Sequence, residues 1–159
     1  MRRWLRATAL ILSWLPSAPG AAGEVIPLAR DLAADARQMA RSGAVMLVLY
    51  SQDGCPWCER ARREYLIPLG RDPAWRRQLV LRQVDTDSAA ELTDFAGRRT
   101  SHRAFARSEG AKLTPTLAVF GADGRRRGEP IVGFRLADFY GAYIEQALRA
   151  ALDAPAAQE

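Results

Sequence analysis

The spacing of apolar positions changes several times along the chain, and each change predicts an element. Over residues 25–41 they recur at helical intervals, with Leu28, Leu32, Ala36, Met39 and Ala40 forming one stripe between charges. Gly43 supplies a C-terminal stop. Residues 44–50 are an unbroken apolar run, the pattern of a central strand covered on both faces. Residues 51–54 read as a turn. A helix then starts at Cys55 or Pro56, where the missing proline N–H is not needed. Pro68 is expected to end or kink that helix, and Asp72-Pro73 to open a short helical piece reaching Gln78. Residues 79–85 read as a second strand. Residues 89–97 read as a short helix or irregular insertion, and 100–108 as a helix stopped by Gly110. A third strand over 116–120, a hairpin turn over 121–124 and a returning strand over 130–134 follow. The last helix, 136–152, is expected to turn Phe139, Tyr143, Ile144, Ala147 and Leu148 to one side. This order predicts an α/β layer fold whose central mixed β-sheet of about four strands is flanked by helices.

The first residues read as an address label rather than part of that fold. Arg2, Arg3 and Arg6 precede nine apolar-rich residues, 7–15, and then a small, turn-rich stretch to Gly23. Nine such residues fall short of the roughly 20 that span a bilayer. The expected organisation is therefore a signal peptide over 1–23, one domain over 24–152 and a disordered tail over 153–159. Cleavage near Ala22 or Gly23 would leave an exported, periplasmic, monomeric protein. The net charge of +5 is partly the label: without its three arginines, 20 basic residues face 18 acidic ones. That balance does not suggest nucleic acid as a partner.

Candidate chemistry concentrates in Ser51-Gln52-Asp53-Gly54-Cys55-Pro56-Trp57-Cys58, which holds both cysteines of the chain. A C-x-x-C between a strand and a helix marks a thiol–disulfide redox site. Zinc wants four ligands, and the chain adds only the lone His102. A c-type haem anchor needs C-x-x-C-H, but Glu59 follows Cys58. A structural staple is disfavoured because so short a loop removes little chain entropy. No metal and no cofactor are expected.

The element order, the C-P-W-C at the helix start and Thr114-Pro115 before the third strand resemble the thioredoxin fold over residues 25–152. Within that superfamily the chain is most similar to exported SoxW-type thioredoxin-like proteins, through S-Q-D-G-C-P-W-C (51–58), D-F-A-G (94–97), T-P-T (114–116) and I-V-G-F (131–134). The resemblance implies thiol–disulfide exchange with partner proteins. Cys55 is the expected nucleophile, its thiolate favoured by the unpaired N–H groups and positive end of the helix that Pro56 begins. Cys58, one turn on, is the expected resolving thiol, leaving a Cys55–Cys58 disulfide. The resemblance makes Pro115 cis, beside the cysteines, with the backbone of Thr114 pairing with substrate. Threonine there leans towards a disulfide reductase supplied by a membrane thiol donor. A DsbA-like oxidant, a redox-inert binding module and a copper-handling protein are the alternatives.

Trp57 cannot easily be buried between the cysteines and is either a docking surface or a helix-packing residue. Asp53 and Glu59 would oppose a thiolate unless solvated. His102 is expected on a helix surface, and Arg125-Arg126-Arg127 in a solvated turn. The chain departs from cytoplasmic thioredoxins at Leu49, where they carry a buried aspartate. That carboxylate's proton-handling role cannot be carried over.

Overall fold

A computed structural model describes residues 25–154. Four strands form the main sheet: β1 (Val45–Ser51), β2 (Leu79–Asp85), β5 (Thr116–Phe120) and β6 (Arg126–Val132). Their order is β2-β1-β5-β6, with β1 parallel to β2 and the other pairs antiparallel. This is the expected α/β architecture. Every residue of β1 is buried, because the strand is central and covered on both faces. Val45, Leu47 and Leu49 point into a core shared with Ala61, Leu66, Tyr140, Ile144 and Leu148. Met46, Val48 and Tyr50 alternate to the other face, against Leu32, Met39, Phe105 and Phe120. A continuous apolar run thus becomes two cores, one on each side of the strand.

Several elements differ from the sequence expectation. Helix α1 runs only over Leu32–Ser42, because Asp31 caps it by accepting the N–H of Ala34. Residues 27–29 instead lie extended beside β2: Ala29 N–H donates to the Gln83 carbonyl, and Gln83 N–H to the Pro27 carbonyl. Leu28 consequently leaves the predicted stripe and is exposed, and Ala40, within α1, is exposed as well. The stretch 89–97 is not a helix. Strand β3 (Glu91–Thr93) pairs with β4 (Arg99–Ser101) in a small antiparallel hairpin. Its turn is organised by the Asp94 carboxylate, which accepts N–H bonds from Ala96 and Arg98. Helix α4 follows over His102–Ser108, capped by Ser101.

Pro68 does not end the helix that follows β1. Helix α2 (Pro56–Ala61) passes into a π-helical turn, Arg62–Leu66, and then into α3 (Ile67–Arg71). In that turn Ile67 N–H reaches back to the Arg62 carbonyl. A residue inserted just before the proline shifts which carbonyl it faces, so the helix tolerates its missing donor. Residues 73–78 form turns, with Trp75 buried. The returning strand β6 starts earlier than expected, at Arg126. Helix α5 (Ala137–Asp153) buries Tyr140, Ile144, Leu148 and Ala151, while Phe139 and Tyr143 are exposed. Of the predicted row, Ile144 and Leu148 are buried and Ala147 packs against the same core, which Tyr140 and Ala151 extend. The expected signal peptide and residues 155–159 of the expected tail lie outside the described residues.

Candidate thiol–disulfide site

Parallel pairing with β2 and antiparallel pairing with β5 bring two loops to one end of the sheet. The loop after β1 carries the cysteines. Tyr50 pairs with Thr116, so the Thr114-Pro115 loop enters β5 beside it. The Thr114–Pro115 peptide bond is cis, as the resemblance implied.

Local chemistry shapes the first loop. Gly54 adopts φ 65°, a left-handed conformation that glycine takes without penalty. The Asp53 carboxylate accepts the Gly54 N–H at 2.9 Å, and Asp53 N–H donates to the Asp87 carboxylate at 3.1 Å. Cys55 then takes the N-cap position in extended conformation, with Pro56 opening α2. Cys55 and Cys58 form a disulfide, with Cα atoms 5.3 Å apart. The two sulfurs are unequal. Cys58 is 1% exposed, whereas Cys55 is partly open to solvent. The backbone N–H of Cys58 donates to Cys55 Sγ at 3.1 Å, so an otherwise unpaired helix-start donor points at the accessible sulfur.

Trp57 is 54% exposed and also packed: its indole stacks on Phe134, centroids 5.9 Å apart and planes 19° from parallel. Phe134 in turn meets Tyr65 and Tyr140, and the Arg60 guanidinium lies 5.0 Å from its centroid. Gly133 N–H donates to the Pro115 carbonyl at 2.8 Å. The I-V-G-F stretch therefore ties the cis-proline loop to the tryptophan. Phe134 is the site residue that sequence reasoning missed. Its only signal was the weak resemblance of that stretch.

Leu49 is buried among apolar residues and carries no proton-handling group. The polar groups near Cys55 lie instead in an open cleft beside it, lined by Ser51, Glu59, Arg62, Gln83 and Asp85. Glu59 is not merely solvated: it pairs with Arg62 and, at 3.3 Å, with Arg63. Arg62 Nε also donates to Gln83 Oε1 at 3.1 Å. The surface reading of His102 is corrected as well. It is 2% exposed; its Nδ1 accepts the Asp85 N–H at 3.0 Å and its Nε2 lies 2.9 Å from the Ala29 carbonyl. A chain folded back along β2 covers this face, so a residue at a helix start becomes a buried brace. The arginine run is not simply solvated either, since Arg126 pairs with Glu109 and Arg127 with Asp123. Among the described residues no cluster of three or more His, Cys, Asp or Glu could hold a metal ion.

A four-stranded mixed sheet, a C-x-x-C disulfide at a helix start and a cis proline at the same end of the sheet define a thioredoxin-fold protein. A family model described as a thioredoxin-like domain matches residues 32–148, and the chain belongs to that family. Solved structures agree on the fold. Mitochondrial thioredoxin 3 from Saccharomyces cerevisiae has 15% identity and a TM-score of 0.53, covering 78% of this chain and 93% of its own. A thioredoxin-fold protein from Helicobacter pylori has 17% identity and a TM-score of 0.53, covering 69% and 72%. Trxlp from Edwardsiella tarda has 24% identity and a TM-score of 0.50, covering 73% and 91%. No curated protein sequence matches the chain. Fold and cysteine pair together support thiol–disulfide oxidoreductase chemistry.

Proposed function

We propose that this protein is an exported disulfide reductase acting on partner proteins. The observation that carries the reading is the unequal cysteine pair: an accessible Cys55 sulfur that accepts a backbone N–H, and a buried Cys58 beside it. In the reduced form the Cys55 thiolate attacks one sulfur of a partner disulfide. A Cys55–partner bond forms, the partner's bond breaks, and its second sulfur leaves as a thiolate. Cys58, losing its proton, then attacks Cys55 Sγ. The Cys55–Cys58 disulfide forms and the partner is released with both sulfurs reduced. Two electrons have passed to the partner, and a dithiol on a membrane thiol carrier restores them by the reverse exchange.

Trp57, Thr114 and Pro115 form the docking edge, with the Thr114 backbone pairing with the partner's chain. Export rests on the pattern of residues 1–23, and the reductive direction on threonine before the cis proline. Resemblance to SoxW-type proteins suggests cytochrome-maturation or sulfur-oxidation proteins as the partners. Equilibration with reduced and oxidised glutathione tests the direction. A reductase is expected near the thioredoxin value of about −270 mV, whereas a value near −120 mV assigns the opposite role, an oxidant of dithiols.

A further inference from the structure

The cleft that opens beside Cys55 is unbalanced in charge. Three carboxylates line it, those of Asp53, Glu59 and Asp85, and among the described residues lining it Arg62 is the only cation. Carboxylates near a sulfur raise the pKa of its thiol and oppose the thiolate that exchange requires. The Cys58 N–H that points at Cys55 Sγ favours the thiolate. Arg62 is the one charged side chain in the cleft that acts in the same sense.

Every nitrogen of its guanidinium is held. Nε donates to Gln83 Oε1 at 3.1 Å, Nη1 to the Glu59 carboxylate, and Nη2 to Ser51 Oγ at 3.4 Å. Gln83 is itself oriented, because its Nε2 donates to Asp85 Oδ1 at 2.7 Å. The guanidinium thus reaches from α2 to the C-terminal ends of β1 and β2, where the loop to Cys55 leaves the sheet. The Arg62 side chain is 18% exposed, so solvent ions screen it less than a surface arginine. Its backbone N–H bonds to the Cys58 carbonyl, one helical turn back, a spacing at which Cβ atoms lie about 5–6 Å apart. It also opens the π-helical turn, a kind of irregularity frequent at functional sites.

The other charged or titratable groups around the site are engaged with partners of their own or face solvent. Asp87 accepts the Asp53 N–H, and Arg103 on α4 reaches the Asp87 carbonyl. His102 on the same helix accepts the Asp85 N–H. Arg60 pairs with Glu64 beside Phe134, and Arg63, 68% exposed, pairs with Glu59. Arg135, after β6, is exposed. Leu113, Thr114 and Pro115 bring no charge.

We propose that Arg62 is a positioning residue of the exchange reaction, a fixed cation that offsets the cleft carboxylates and holds Cys55 in its reactive thiolate form. The role rests on the reading of Cys55 as the attacking thiol. As Cys55 gives its proton to solvent, the charge left on Sγ is stabilised by the guanidinium and by the Cys58 N–H together.

The test uses the full chain as Cys58→Ala, whose single thiol is Cys55. Iodoacetamide, an uncharged reagent, is attacked by the thiolate with loss of iodide, so the alkylation rate plotted against pH titrates Cys55. Adding Arg62→Gln is expected to raise the midpoint by about one pH unit, slowing alkylation well below the midpoint about tenfold. Arg62→Lys keeps the charge without the fork and should fall between the two. Glu59→Gln releases the cation from its partner and should move the midpoint down. That variant alters an exposed helix position and decides the matter by itself if Arg62→Gln does not fold. A midpoint unchanged in Arg62→Gln, an equal rise in the Gln and Lys variants, or no downward shift in Glu59→Gln each overturns the role. A Cys55 that alkylates normally yet forms no mixed disulfide with any disulfide-containing protein overturns the exchange reading instead.

Discussion

The indole of Trp57 lies nearly parallel to the ring of Phe134, which is itself packed against Tyr140 with centroids 4.6 Å apart. An exposed aromatic between two cysteines is thereby held rigid by a residue far along the chain. The same segment bonds to the cis-proline loop through Gly133 and Pro115. Trp57, Phe134 and the cis-proline loop are thus connected through one short segment.

Phe134→Leu should therefore loosen Trp57 without unfolding the protein. Losing the ring stack is expected to cost about 1 kcal/mol of stability. Tryptophan fluorescence should shift to the red at unchanged far-ultraviolet circular dichroism. Reduction of a protein disulfide should slow more than reduction of a small disulfide. An equal slowing of both would show that Phe134 does not act through docking.

His102 should behave as a buried brace. With Nδ1 accepting the Asp85 N–H, Nε2 carries the proton and donates to the Ala29 carbonyl. His102→Phe leaves two buried backbone groups unpaired, at a cost of about 2–4 kcal/mol. His102→Gln, which keeps a donor and an acceptor, should lose less. Urea unfolding of the two variants gives the comparison, and equal losses would argue against the paired hydrogen bonds.

His102 also shows what a linear pattern conceals. An apolar run such as residues 44–50 announces its own burial, because both faces of a central strand must be covered. The turn at Gly124 and the cysteine motif are local in the same way. The burial of His102 instead depends on residues 27–29 lying beside β2, a contact 73 positions away in sequence. Asp31, the true cap of α1, was overlooked because apolar periodicity continued through Leu28 by coincidence. The β3–β4 hairpin was missed because its strands have three residues each, too few to show an alternation. At Pro68 nothing local signals the π-helical turn that carries the helix past it. The pairing of Trp57 with Phe134 is likewise tertiary.

Asp94 sets a pH dependence. Burial by itself would raise its pKa, but the N–H groups of Arg98 and Ala96 and the Arg98 guanidinium outweigh it, so the pKa is lowered. A carboxyl lowered in the folded state stabilises fully above its unfolded pKa of about 3.9 and loses that contribution as pH falls through the folded value. Asp94→Asn should thus be less stable than the parent at pH 7. The gap should close below about pH 4, as the parent carboxyl also becomes neutral. Urea midpoints of both proteins between pH 7 and pH 3 check this. A gap independent of pH would assign the loss to side-chain shape rather than charge.

The two cysteines should part ways on substitution. Cys58→Ala leaves the accessible Cys55 sulfur and its Cys58-position N–H donor in place, because that donor belongs to the backbone. It removes only the thiol that resolves the mixed disulfide. Exposed to disulfide-containing proteins, this variant should accumulate covalent adducts that thiol reductants release. Cys55→Ala should accumulate few, since Cys58 is buried and meets no partner directly. Non-reducing electrophoresis distinguishes the two outcomes. Adducts forming equally on either variant would mean that burial does not decide which sulfur attacks. No adducts on either would leave the disulfide without exchange activity and make the chain a binding module.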